Sequence, residues 1–146
     1  GIWIHSEIDN CIHFALFKGE SLKDEVTEVR VHKQRPIDDV FSASFQKQPS
    51  QNSQSLIDYG LNMLSTSKKG IFLYLQNENG FFPEDSSSMD ERLYGVGAQI
   101  LNLLGVRKMN LHMSSNRPLH SLSGFGLEVE KIKIIQEKSH QKRILS

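Results

Sequence analysis

The sequence predicts an α/β domain on a mixed sheet, with an antiparallel hairpin near the amino end and parallel strands flanked by helices. Three observations carry this expectation. Two short apolar or alternating runs, "CIHFALF" (11–17) and "EVTEVRVH" (25–32), flank the turn-like "KGESLKD", a hairpin signature. A continuous apolar run of strand length, "IFLYLQ", follows Gly70, as in a strand covered on both faces. Beyond it, helical and strand periods alternate, the order that right-handed crossovers turn into a parallel layer.

The elements follow in chain order. After the expected hairpin, "RPIDDVFSASF" carries a proline and two acids, which suits a third short strand or a turn into one. "QKQPSQNSQ" is polar and loop-like. "SQSLIDYGLNMLSTS" places Leu56, Ile57, Leu61 and Leu64 at a helical period, with Ser53 or Ser55 available as cap. The buried run after Gly70 gives way to "NENGFFPEDSSSMDE", whose Gly, Pro, Asn and serine triplet make a loop. "DERLYGVGAQILNLLGVRK" then reads as a helix with an apolar face, followed by the strand "KMNLHMS", a short helix or turn near "RPLHSLSGFG" and the strand "LEVEKIKII". "GFG" at 124–126 suits a helix-end turn. The basic tail 136–146 is expected to fray.

The 146 residues make one domain, 1–146, large enough to bury a core. Seventeen basic residues balance seventeen acidic ones, so neither nucleic acid nor an anionic membrane is the expected main partner, while small anions remain possible ligands. A single cysteine, Cys11, excludes an intramolecular disulfide and suits the reducing cytoplasm. No stretch reaches the apolar length of a membrane span. The six histidines lack close-spaced pairs: His5 and His13 are eight apart, as are His112 and His120, and His32 stands alone. No protein-built metal site is expected. Glycine-loop and nucleophile-elbow signatures are absent as well.

Three groups of polar residues remain. Arg30 and His32 share a strand face and either converge on an anion or lie on a solvated face, the commoner case. Asp90 and Arg92 open a helix, where they either cap a solvated first turn or attract a phosphate or carboxylate. Glu78 follows the buried strand, at the carboxyl edge where α/β folds place ligands.

The stretches "GIFLYLQNENG", "DERLYGVGAQILNLLGVRKMNL" and "GFGLEVEKI" resemble, in this order, parts of GTP cyclohydrolase II, the zinc enzyme that opens GTP at the start of riboflavin synthesis. "EVRVHKQRPIDDVF" is similar to its R-V-H-S-E-C-x-T-G-D-x-F segment, so the likeness runs from about residue 12 to about residue 132. The resemblance implies a GTP cyclohydrolase II-like fold. It assigns catalytic positions to Asp90 and Arg92, and nucleotide-binding positions to Arg30, Val31, His32, Glu78 and Ser114. The family often follows a 3,4-dihydroxy-2-butanone 4-phosphate synthase domain, so the chain is expected to be the carboxyl-terminal domain of such a bifunctional protein, and a homodimer.

The departures are chemical. The family holds zinc with three cysteines, whose counterparts by count are Arg35, Gln46 and Gln48. None supplies a thiolate. The arginine of the family's E-G-R-G-I-G-L motif and the catalytic tyrosine beyond it are also missing. The expected domain therefore lacks zinc and GTP hydrolysis and acts as a structural or regulatory partner of the synthase domain. The alternative is a weak binder of GTP, a related nucleotide or a flavin-pathway ligand, or a residual cyclohydrolase.

Overall fold

The apolar run after Gly70 forms an inner strand of a six-stranded sheet. The computed structural model describes residues 1–20, 25–36, 39–40, 55–76, 91–114 and 122–135. In chain order they form β1 (Ile2–Ser6), β2 (Cys11–Lys18), β3 (Thr27–Lys33), α1 (Leu56–Thr66), β4 (Gly70–Leu75), α2 (Glu91–Leu103), β5 (Lys108–Met113), a 3-10 turn (Ser123–Phe125) and β6 (Glu128–Ile134). The strand order is β1-β2-β4-β3-β5-β6. From β4 to β6 the strands are parallel, while β2 runs antiparallel to β4 and β1 antiparallel to β2.

This order corrects one pairing. The runs 11–17 and 25–32 are not hairpin partners, because β4 lies between them, antiparallel to β2 and parallel to β3. A strand apolar on both faces gains more at the centre of a sheet than at its edge. The antiparallel hairpin is instead β1–β2. Its turn places Asn10 at φ 54°, a left-handed conformation that asparagine tolerates. Asp9 Oδ1 accepts the Cys11 amide at 3.2 Å, and its carboxylate also lies 3.0 Å from His13 Nε2. After β3, Arg35, Pro36, Asp39 and Val40 belong to a helical turn, and the run 41–45 that would carry the third strand lies outside the described residues. The Asp39 amide donates to Arg35 O at 2.8 Å, and the Asp39 carboxylate accepts the Arg35 amide at 2.9 Å. Pro36 suits the first turn, where its missing N–H goes unused.

Alternation along the strands separates two faces. Ala15, Val29, Ile71, Leu73, Leu75, Met109 and Leu111 form one core layer with Val96, Ala98, Ile100 and Leu101 of α2. The other face carries Glu28, Arg30 and His32 on β3, Phe72 and Tyr74 on β4 and His112 on β5, with α1 beside it. Ser55 caps α1, its Oγ accepting the Asp58 amide at 3.1 Å. The packed face of α1 centres on Gly60 and Met63, and Leu61 is exposed rather than part of the apolar stripe. Gly126, at φ 73°, ends the 3-10 turn as the sequence suggests.

Gly60 gives the helix its close approach. A Cβ there would meet the buried Phe72 ring, 2.5 Å from Cδ2 and closer still to Cε2. Overpacking of this kind costs about 1–3 kcal/mol, against roughly 1 kcal/mol that alanine gains over glycine in a helix. Gly60→Ala is expected to be destabilising on balance, by about 1 kcal/mol. A urea midpoint equal to or above that of the parent chain would contradict this packing.

Candidate functional site

β3 positions the first side chains. Its alternation sends Arg30 and His32 to the α1 face and Val31 to the α2 face, where Val31 Cγ1 lies 3.6 Å from a Cβ built on Gly97. Arg30 and His32 thus share a face, as their spacing predicts, but the face is covered. They are 4% and 1% exposed, which removes the solvated-face reading.

Each is held in place. Arg30 Nη1 donates to His112 O at 3.2 Å. His32 Nε2 lies 2.8 Å from Asp39 Oδ1, and Asp39 Oδ2 accepts from the Tyr74 hydroxyl at 2.7 Å. The rings of His32 and Tyr74 stack at 5.5 Å. His32 Nδ1 is buried and has no hydrogen-bond partner among the described residues. Desolvation pushes the Asp39 carboxyl up, yet the hydrogen bond and charge of His32, the Arg35 amide and the Tyr74 hydroxyl outweigh it and hold it below the usual carboxylate range. Desolvation, with the Asp39 hydrogen bond and charge, pushes the Tyr74 phenol far up, so it remains a donor.

Arg92 belongs to a different wall. It lies in the first turn of α2 and its Nη2 donates to Ile8 O in the β1–β2 turn at 2.8 Å. The start of β2 meets the carboxyl end of β4, where Gln76 Oε1 accepts the Ile12 amide at 3.1 Å and the Gln76 amide donates to His13 Nδ1 at 3.1 Å. Ser114 follows β5. Glu78 and Asp90 lie outside the described residues.

The donor set around Arg35 does not fit a three-thiolate zinc site. Position 35 presents a guanidinium, and the chain's one cysteine, Cys11, opens β2. A cation in place of a thiolate repels a dication instead of binding it. Among the described residues no three His, Cys, Asp or Glu side chains form a group that could hold a metal ion. Gln46 and Gln48 lie outside the described residues.

Asp39 and Tyr74 were not singled out in the sequence, although both were accessible to inspection. Asp39 matches the aspartate of the quoted R-V-H segment, and Tyr74 sits two residues after Phe72 on the same strand face. Two other histidine pairs also escaped the spacing rules, His13 with Asp9 and His112 with Glu28, because each is a histidine–carboxylate hydrogen bond rather than a metal motif.

The profile of a family described as GTP cyclohydrolase II matches residues 2–81 and 83–133. A 3,4-dihydroxy-2-butanone 4-phosphate synthase from Photobacterium phosphoreum is 35% identical over 136 residues, spanning 88% of this chain and 37% of the relative. The riboflavin biosynthesis protein RibBA of Aquifex aeolicus (strain VF5) is 32% identical, spanning 89% of the chain and 37% of the relative. The crystal structure of RibBX, a two-domain 3,4-dihydroxy-2-butanone 4-phosphate synthase from A. baumannii, superposes with a TM-score of 0.51 at 28% identity, covering 92% of this chain and 39% of that one. The chain therefore spans under two-fifths of the length of these relatives.

Proposed function

Because the chain belongs to the GTP cyclohydrolase II family, we propose that it is a riboflavin biosynthesis domain that no longer opens GTP and instead supports a butanone phosphate synthase domain in the same protein. The observation that carries the reading is the turn at Arg35. There the position of the family's first zinc cysteine is a cation, and Asp39 is committed to His32, Tyr74 and the Arg35 amide. Without a metal to lower the pKa of water, hydrolysis of the purine ring loses a contribution of several kcal/mol.

The partner is the synthase domain itself, with the domain also serving as a homodimer contact in the cytoplasm. Support for the synthase partner comes from the relatives, whose names carry that synthase activity and which extend well beyond the matched segment. Among the described residues no helix is long and apolar enough to cross a membrane.

The test uses the full-length protein and its truncation lacking this domain. The expected results are no GTP opening with zinc added, and a loss of synthase activity, stability or oligomeric state in the truncation. GTP turnover, or a truncation unchanged in all three properties, would contradict the proposal. One observation favours a second reading as a nucleotide- or flavin-binding module built on Arg30, His32, Glu78 and Arg92. It is the buried Nδ1 of His32, which has no hydrogen-bond partner among the described residues. Calorimetry with GTP, GMP and flavins at millimolar concentration separates the two readings, since only the second expects heat.

A further inference from the structure

A second set of polar side chains stands on the same sheet face, apart from His32 and Asp39. Glu28 of β3, His112 of β5 and Tyr59 of α1 are hydrogen-bonded in series. His112 Nε2 lies 2.6 Å from Glu28 Oε2, and His112 Nδ1 lies 2.6 Å from the Tyr59 hydroxyl. Asn110 Nδ2 donates to Glu28 Oε1 at 3.0 Å, and Lys133 Nζ stands 3.7 Å from that oxygen. Desolvation raises the Glu28 carboxyl, but hydrogen bonds from His112 and Asn110 and the charges of Lys133 and His112 outweigh it and hold it below the ordinary range. Burial raises the Tyr59 phenol, Arg30 draws it down and Glu28 raises it, with a net rise. Glu28 is therefore an anion that keeps a proton on Nε2 of His112, and Tyr59 keeps its own proton.

The remaining freedom lies at Nδ1. With the ring neutral, Nδ1 accepts the phenolic proton and Tyr59 presents only lone pairs elsewhere. With the ring cationic, Nδ1 donates to the phenol oxygen, and the Tyr59 O–H is released to another acceptor. That acceptor has a place. Tyr59 and His112 help line a cleft of about 520 Å³ running along α1 to its carboxyl end, within the size range of small-ligand sites. Lys68, Lys69 and Lys133 line it against Glu25 and Glu28, and Lys69 pairs with Glu25 at 3.2 Å.

We infer that this cleft is a ligand site for the phosphoryl group of a small metabolite, and that occupation is coupled to protonation of His112 through the Tyr59 hydroxyl. The coupling follows from charge. A bound dianion favours the cationic ring, and the cationic ring frees the tyrosine donor that the dianion needs. Among the described residues the charged and titratable groups facing His112 are Glu28 and Arg30 on β3, Tyr59 on α1 and Lys133 on β6. Carboxylates of lowered pKa, arginines and lysines keep their charge across neutral pH, whereas imidazole is the side chain whose charge changes there. The inference does not rest on the family reading, since Tyr59 and His112 lie outside the stretches that carry the resemblance and Glu28 precedes the R-V-H letters.

Sulfate is the first probe, because it is an oxyanion that does not itself titrate near neutrality. In an NMR titration of the full chain, saturable shifts are expected at Tyr59, at 66–69 and at the His112 ring. Affinity should rise roughly threefold to tenfold between about pH 8 and about pH 6. Glycerol 3-phosphate should bind in the same place, and glycerol should not. Tyr59→Phe keeps the ring and removes the donor, so it should weaken binding several-fold and flatten the pH dependence. Lys68→Ala, at an exposed position, should weaken binding at both pH values and leave the dependence intact, which keeps the test decisive if Tyr59→Phe does not fold. No saturable shift, equal affinity at both pH values, or an unaffected Tyr59→Phe would each overturn the inference.

Discussion

Asp39→Ala is expected to lower the unfolding free energy at neutral pH by about 3 kcal/mol, since leaving a buried donor without its acceptor costs about 1–3 kcal/mol and this carboxylate serves three donors. The Asp39 side chain is 10% exposed and that of His32 is 1% exposed. Removal leaves the His32 Nε2 donor, the Tyr74 hydroxyl and the Arg35 amide without their acceptor, and each buried orphan adds a desolvation cost. The effect is pH-dependent with a definite sign. The folded-state pKa of Asp39 lies below the ordinary carboxyl value of 3.8. Its contribution is therefore fully present above the unfolded value and disappears as pH falls through the lower folded value. Denaturation of the parent chain and the variant should show a gap that is wide at neutral pH and narrows below about pH 4. An equal gap at neutral pH and near pH 3 would mean that the carboxylate charge is irrelevant.

Leu73→Ala should cost more, about 3–5 kcal/mol, because it removes side-chain volume where the surroundings are least able to collapse. Leu73 is fully buried, paired across the sheet with Ala15 on β2 and Val31 on β3. Above it lies α2, where a Cβ on Gly97 would stand 3.9 Å from Leu73 Cδ2. Ile132 on the outer strand β6 is 47% exposed, and its replacement by alanine should cost only about 0.5 kcal/mol. Urea midpoints of the two variants decide the matter. Comparable losses would contradict the placement of the core.

The outline of the fold was readable wherever local pattern decides structure. The α1 and α2 periods, the β5 and β6 runs and the two-sided burial of β4 all follow from the spacing of apolar residues. The pairing of β2 with β4 was not readable, since it joins strands more than fifty residues apart. The β1–β2 turn did carry a signal in Asp9 and Asn10, residues suited to side-chain hydrogen bonding and a left-handed backbone.

The candidate sites divide in the same way. Period two placed Arg30 and His32 together correctly, but their burial depends on α1 and the turn at Arg35, which lie elsewhere in the sequence. Asp39 was not singled out, because only the turn after β3 brings its carboxylate to His32 and Tyr74. The Glu28–His112–Tyr59 series was invisible because it joins three elements across 84 residues, and no spacing rule reaches that far.

The position of β3 has a consequence for a chain made from its amino end. The β1–β2 hairpin can close as soon as residue 18 has emerged, since both its strands are then present. β3 has no such opportunity. Its two neighbours, β4 and β5, both follow it, so Thr27–Lys33 has no sheet partner until synthesis passes Gly70 and no second one until it passes Lys108. Arg30 and His32 accordingly have no neighbouring strand on either side until Gly70–Leu75 has been made. The sheet then assembles late, as a single non-local event of the kind that makes folding slow.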